Sequence, residues 1–90
     1  MAGMRVTPEE LETLGGKFTQ EAGTVRQLQS GISSALQGTN WEGNARNKFQ
    51  QLWETEYRKG LESLATTLEQ TSQDLKKQAQ QYRIADQQGG

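Results

Sequence analysis

Apolar residues recur along this chain at spacings of three and four, in two long stretches separated by one short polar break. The first stretch reads Leu11, Leu14, Phe18, Ala22, Val25, Leu28, Ile32, Ala35 and Leu36. The second reads Ala45, Phe49, Leu52, Trp53, Tyr57, Leu61, Leu64, Leu68, Thr71, Leu75, Ala79, Tyr82 and Ala85. Such spacing lays one apolar stripe along an α-helix, and no strand-like alternation interrupts it. The pattern predicts helix one over about 8–37, a turn over about 38–44, helix two over about 45–86 and a short tail at 87–90. A short connection between long helices makes them antiparallel neighbours. The expected architecture is an all-α helix-turn-helix hairpin forming a single domain over residues 1–90.

Local signals agree with the period. In Val6-Thr7-Pro8-Glu9-Glu10-Leu11, Thr7 is an N-cap, Pro8 occupies the first helical position and Glu10 completes a capping box. Val6 and Leu11 are spaced for a hydrophobic staple, and Glu9, Glu10 and Glu12 suit the positive end of the helix dipole. In the break Gln37-Gly38-Thr39-Asn40-Trp41-Glu42-Gly43-Asn44, Gly38 is placed for a left-handed residue closing helix one. Thr39, Asn40 and Asn44 are each capable of capping helix two. Gly15, Gly16, Gly23 and Gly31 weaken helix one; for Gly15 and Gly16 the expected return is close approach of another backbone. Glu54 and Arg58 are spaced for an ion pair on a solvated face.

The stripes are sparse for a free-standing fold. Leu, Ile, Val and Phe supply 15 of 90 residues, a share at which disorder becomes an alternative. The net charge of -1 and the strong period argue against disorder. Two stripes only half covered in a two-helix contact call for a second hairpin, giving a dimeric four-helix bundle. Leu11, Leu14, Phe18, Val25, Leu28, Ile32, Phe49, Leu52, Leu61, Leu64, Leu68 and Leu75 are the expected core and dimer stripe.

Composition narrows the chemistry. The absence of Cys and His removes thiol chemistry, disulfides, structural zinc and the commonest general base. No metal site, cofactor or catalytic constellation is expected; the carboxylates are scattered and Gly38 and Gly43 begin no phosphate loop. The 10 Lys+Arg against 11 Asp+Glu argue against a nucleic-acid binder. No apolar run approaches a membrane span, and no stable membrane insertion is expected. The Met1–Val6 segment lacks the apolar stretch of a cleavable signal peptide, so export would need another route. Trp41 reads on physics alone as an aromatic closing the end of the helix-pair core, or else as the lining of a surface groove beside Gly43. Tyr82 and Asp86, four apart, project on one side of helix two.

Trp41-Glu42-Gly43 in the turn of such a hairpin, with Tyr82-Arg83-Ile84-Ala85-Asp86 after it, resembles the WxG (Esx, early secreted antigen-like) family of type VII secretion substrates. The second motif matches that family's Tyr-x-x-x-Asp/Glu signal. The resemblance covers length, hairpin, turn and C-terminal signal. It implies a small non-catalytic protein, made in the cytoplasm and exported folded as a dimer with itself or a related WxG hairpin, without a cleaved signal peptide. It further implies that Trp41 and Gly43 of one chain meet Tyr82 and Asp86 of the other in a composite signal read by an FtsK/SpoIIIE-type ATPase. The tail departs from members that dock directly: Gln87-Gln88-Gly89-Gly90 has no apolar residue, leaving Ile84 or a partner chain to supply that contact. The competing expectation is a structural adaptor or chaperone hairpin that pairs with a larger secreted effector. A membrane-active effector ranks last, because the polar faces lack an Arg/Lys-rich surface.

Overall fold

The computed structural model describes residues 6–89, with side chains over 6–86. Helix α1 spans Pro8–Gly38, α2 spans Asn44–Leu52, and α3 spans Arg58–Gly89. A single π-helical turn, Trp53–Tyr57, joins α2 to α3 without a break in the chain's helical course. α1 and α3 lie antiparallel in a hairpin 68 Å long, and no strand occurs among the described residues.

α1 starts where its sequence says it should. The Thr7 hydroxyl accepts from the Glu10 N–H at 3.1 Å, and the Glu10 carboxylate accepts from the Thr7 N–H at 2.9 Å. Both halves of the capping box are thus formed. The far end differs from expectation. Gly38 is the last helical residue rather than a left-handed cap, and Thr39 closes the helix in an extended conformation, its N–H donating to the Ala35 carbonyl. α3 likewise keeps helical backbone through Gln87 and Gln88, where a tail was expected, because no breaker separates Ala85 from Gly89 and Gln is a good helix former.

The contact between the helices is built from small residues. Gly15, Ala22, Ala65, Ser72 and Ala79 are buried, together with Leu11 and Trp53. They recur every seven residues: 15 and 22 on α1; 65, 72 and 79 on α3. A strict seven-residue repeat keeps one edge of each helix facing its neighbour. Gly15 sits against Ser72, and the same antiparallel register carries Ala22 to the level of Ala65 and Pro8 to that of Ala79. The backbones meet closely: a Cβ on Gly15 would lie 3.1 Å from the Ser72 carbonyl oxygen. Gly16 has open space around it, so close approach explains only the first of the two glycines. Among the described residues Ser72 is the one buried polar side chain; its hydroxyl donates to the Gly15 carbonyl at 2.7 Å and accepts from Thr19 Oγ1 at 2.7 Å.

The two flanks of this seam differ. On one, Arg26 of α1 reaches Glu62 at 2.7 Å and Glu69 at 2.8 Å on α3. Nearer the chain termini, Arg83 of α3 reaches Glu9 at 3.3 Å and also pairs with both oxygens of Glu12. Hydrogen bonds to Glu69 and then Glu62 push Arg26 further above its already high pKa, and those to Glu12 do the same for Arg83. Glu12 itself is held below the usual carboxylate range, first by the Arg83 hydrogen bond and further by the Arg83 charge, against desolvation. Along α1 itself lies Lys17–Glu21, and Glu54–Arg58 spans the π turn at 3.2 Å. At about 100° per residue, Leu14, Phe18, Val25, Leu28 and Ile32 fall on the other flank of the seam from Arg26. Leu61, Leu64, Leu68 and Leu75 fall on the same flank from α3. Of the predicted stripe only Leu11 is buried; Leu14, Leu28 and Leu64 are exposed, and the other members, Phe49 and Leu52 of α2 included, are half-buried.

Two predictions follow from this packing. Ser72→Leu inserts bulk between backbones in contact and should destabilise the hairpin by about 1–3 kcal/mol. Ser72→Ala keeps the small-residue repeat and should cost no more than about 0.5–1.5 kcal/mol. Urea unfolding followed by circular dichroism separates the two. For Glu12, a lowered folded-state pKa means stabilisation present above the unfolded carboxylate value of about 4.3 and lost as pH falls through the folded value. The stability difference between wild type and Glu12→Gln should therefore be present at neutral pH and close below roughly pH 4.

Candidate functional site

The turn between α1 and α2 owes its shape to Gly43. This residue has φ 114° and ψ -178°, the only positive φ among the described residues. An L side chain rarely adopts that conformation, so any substitution here is strained. No atom approaches where its Cβ would be, so backbone conformation, not close approach by a neighbour, requires glycine. Gly43 is also the N-cap of α2, with its carbonyl accepting from the Asn47 N–H at 3.1 Å. Neither Asn40 nor Asn44 caps the helix; Asn44 is already its first residue, and no side chain supplies a cap bond.

Trp41 does not close the helix-pair core. Its N–H donates to the Thr39 carbonyl at 2.9 Å, which folds the chain tightly, and its side chain is left 40% exposed. Its ring lies 6.4 Å from that of Phe49. Phe49 in turn stacks on Trp53, with centroids 6.4 Å apart and planes 16° from parallel, and approaches Tyr57 at 6.3 Å. The buried indole is that of Trp53, 2% exposed, whose Nε1–H donates to Ser33 Oγ of α1 at 3.1 Å. Trp53 pins the turn end of the hairpin, and Trp41 rides on the outside of the aromatic run.

The π turn makes this arrangement possible. Phe49, Trp53, Tyr57 and Leu61 are each four residues apart. In a straight α-helix each such step drifts by about 40°. The wider turn, closed by the Arg58 N–H on the Trp53 carbonyl, absorbs part of that drift. The repeated spacing of four was the available sequence signal for the turn, which the uninterrupted helical period concealed. Beside it Ile32, Phe49, Trp53, Glu56, Tyr57, Gly60 and Leu61 line an open, mostly apolar groove of about 460 Å³.

At the opposite end of the hairpin, Tyr82 and Asp86 are both exposed on the last turns of α3. The Tyr82 hydroxyl accepts from Gln78 Nε2 at 3.1 Å. In projection both residues lie toward the apolar flank of the seam, and Ile84, also exposed, points elsewhere. Within one chain the two motifs stay apart. The Arg83 pairs tie the Tyr82 turn to the start of α1, whereas Trp41 follows its end, and a helix of 31 residues is about 46 Å long. Among the described residues no group of three or more His, Cys, Asp or Glu could hold a metal ion. No helix among the described residues is long and apolar enough to cross a membrane.

Residues 3–87 match the sequence model of the WXG100 family, described as proteins of 100 residues with WXG. The "Type VII secretion system extracellular protein A" of Staphylococcus aureus strain USA300 is 32% identical over 91 residues, covering 98% of this chain and 92% of that protein. The proteins of the same name from strains Newman and COL match equally. No solved structure matches the chain. With the family's sequence model spanning nearly its whole length and these relatives alongside, the chain belongs to the WXG100 family.

Proposed function

We propose that this protein is a small non-catalytic substrate of a type VII secretion system, exported folded as a dimer. The observation that carries the reading is its whole-length similarity to a protein named as a type VII extracellular protein. The proposed dimer partner is a second copy or a related WxG hairpin, seated on the apolar flank of α1 and α3. Leu14, Leu28 and Leu64 are exposed there in the single chain, as a buried interface between hairpins would require. An antiparallel pair of hairpins sets the Trp41/Gly43 turn of one chain beside Tyr82 and Asp86 of the other. The separation of these motifs in one chain gives that assembly a role: only two chains complete the composite export signal, and an FtsK/SpoIIIE-type ATPase reads it. An adaptor that covers the same flank with a larger effector is the second reading.

The dimer makes a direct prediction. The protein purified alone should be helical with a solution mass twice its 10.0 kDa chain. Leu28→Glu combined with Leu64→Glu should shift it to a single-chain mass, because a charge buried without a partner is strongly unfavourable. A wild-type protein that stays at 10.0 kDa and becomes fully helical only with a larger partner would favour the adaptor. The signal makes another prediction: Tyr82→Ala should abolish appearance of the protein outside cells carrying the cognate machinery, with mass and helicity unchanged. Full export of Tyr82→Ala would sink the proposed signal.

A further inference from the structure

Arg83 lies inside the proposed signal, between Tyr82 and Asp86, yet its side chain turns the other way. Over residues 80–86 it is the only one that is not exposed. The small-residue seam ends at Ala79, the last buried position of α3 among the described residues. Past it, among the described residues, α3 is tied to α1 by Arg83, which reaches Glu9 at 3.3 Å and both carboxylate oxygens of Glu12. The fork of a guanidinium on a carboxylate fixes direction as well as distance. Both acids stand in the first two turns of α1, whose start is itself fixed by the Thr7–Glu10 capping box.

The segment needs such a hold. The last turn of a helix leaves its carbonyls without intrahelical partners, and ends without packing fray. Asp86 adds to the problem, since a carboxylate near a helix C-terminus opposes the dipole, whereas the Arg83 cation suits it. Tyr82 and Asp86 stay close together on one face only while the intervening turn is helical, because four residues of extended chain would separate them by more than 10 Å.

We infer that Arg83 is a positioning residue of the Tyr82/Asp86 signal: reaching back to Glu9 and Glu12, it keeps the turns of α3 that run past the start of α1 helical, so that both signal side chains are presented together on one face. The inference rests on the proposed reading of Tyr82 and Asp86 as an export signal. Its own consequence, the ordering of residues 80–88, is measurable without export.

The test uses amide hydrogen exchange on the purified full chain and secretion from cells carrying the cognate machinery. Arg83→Ala should speed exchange at residues 80–88 by roughly three- to ten-fold while leaving the seam around Ser72 protected, and should lower export. Arg83→Lys should restore only part of both, since an ammonium lacks the fork. The charge-reversed pair Arg83→Glu with Glu12→Arg should recover protection and export together. Unchanged exchange in Arg83→Ala overturns the inference. So does a reversed pair that regains protection but not export, which would mean that Arg83 is read directly by the receptor. If Tyr82→Ala is exported normally, the signal reading fails by itself, and the exchange data still decide whether Arg83 orders the helix end.

Discussion

Close approach of two helix backbones at Gly15 and Ser72 governs this molecule. Small residues every seventh position let α1 and α3 pack along an edge with almost no side-chain bulk between them. Such a seam yields little hydrophobic stabilisation, because Gly, Ala and Ser bury little apolar area. Its strength lies in contact density and in the Ser72 hydroxyl, which bridges the Gly15 carbonyl and Thr19. Apart from Leu11 and Trp53, the large apolar residues are thereby displaced from the centre of the contact. They stand beside it, on one flank, because the other flank is taken by Arg26 and Arg83 with their carboxylates. The single chain is thus laterally polarised, ion-paired on one side and apolar on the other, as a direct consequence of its thin seam.

The turn end obeys a different rule. There the seam gives way to Trp53, a large side chain buried against α1 and satisfied by Ser33. There the helix also changes pitch, through the π turn at Trp53–Tyr57. Trp41 is left outside, on Phe49, held by the backbone of Thr39 and by the positive φ of Gly43. The two tryptophans therefore divide the work: one anchors the fold, and the other stands at the surface.

Much of this was legible in the residues. The spacing of three and four gave the helices, and Thr7-Pro8-Glu9-Glu10 gave the start of α1, because capping depends only on near neighbours. The Glu54–Arg58 pair was equally local. What the stripe concealed was its own orientation. Leu and Phe dominate a hydrophobicity reading, so Leu14, Leu28 and Leu64 looked central, while Ala65, Ser72 and Ala79 carry little hydrophobic weight and looked incidental. The seven-residue repeat of small residues was present in the sequence, but its meaning depends on the facing helix. Gly43 was chosen from its motif; its conformational reason needed the backbone. Arg83 passed as a variable letter inside Tyr-x-x-x-Asp, since its partners Glu9 and Glu12 lie more than 70 residues away.

The distance between the two motifs turns a feature of the fold into a constraint on function. In a hairpin 68 Å long the turn and Tyr82 stand at opposite ends. Any receptor that required both motifs at once would be blind to a single chain and would recognise only an assembly. Under the proposed reading, the apolar flank that favours pairing and the separation that makes pairing necessary have one origin. Both come from two long helices held edge to edge by glycine, alanine and serine. Discrimination between paired and unpaired chains would then require no moving part, since an unpaired chain lacks half of each composite end.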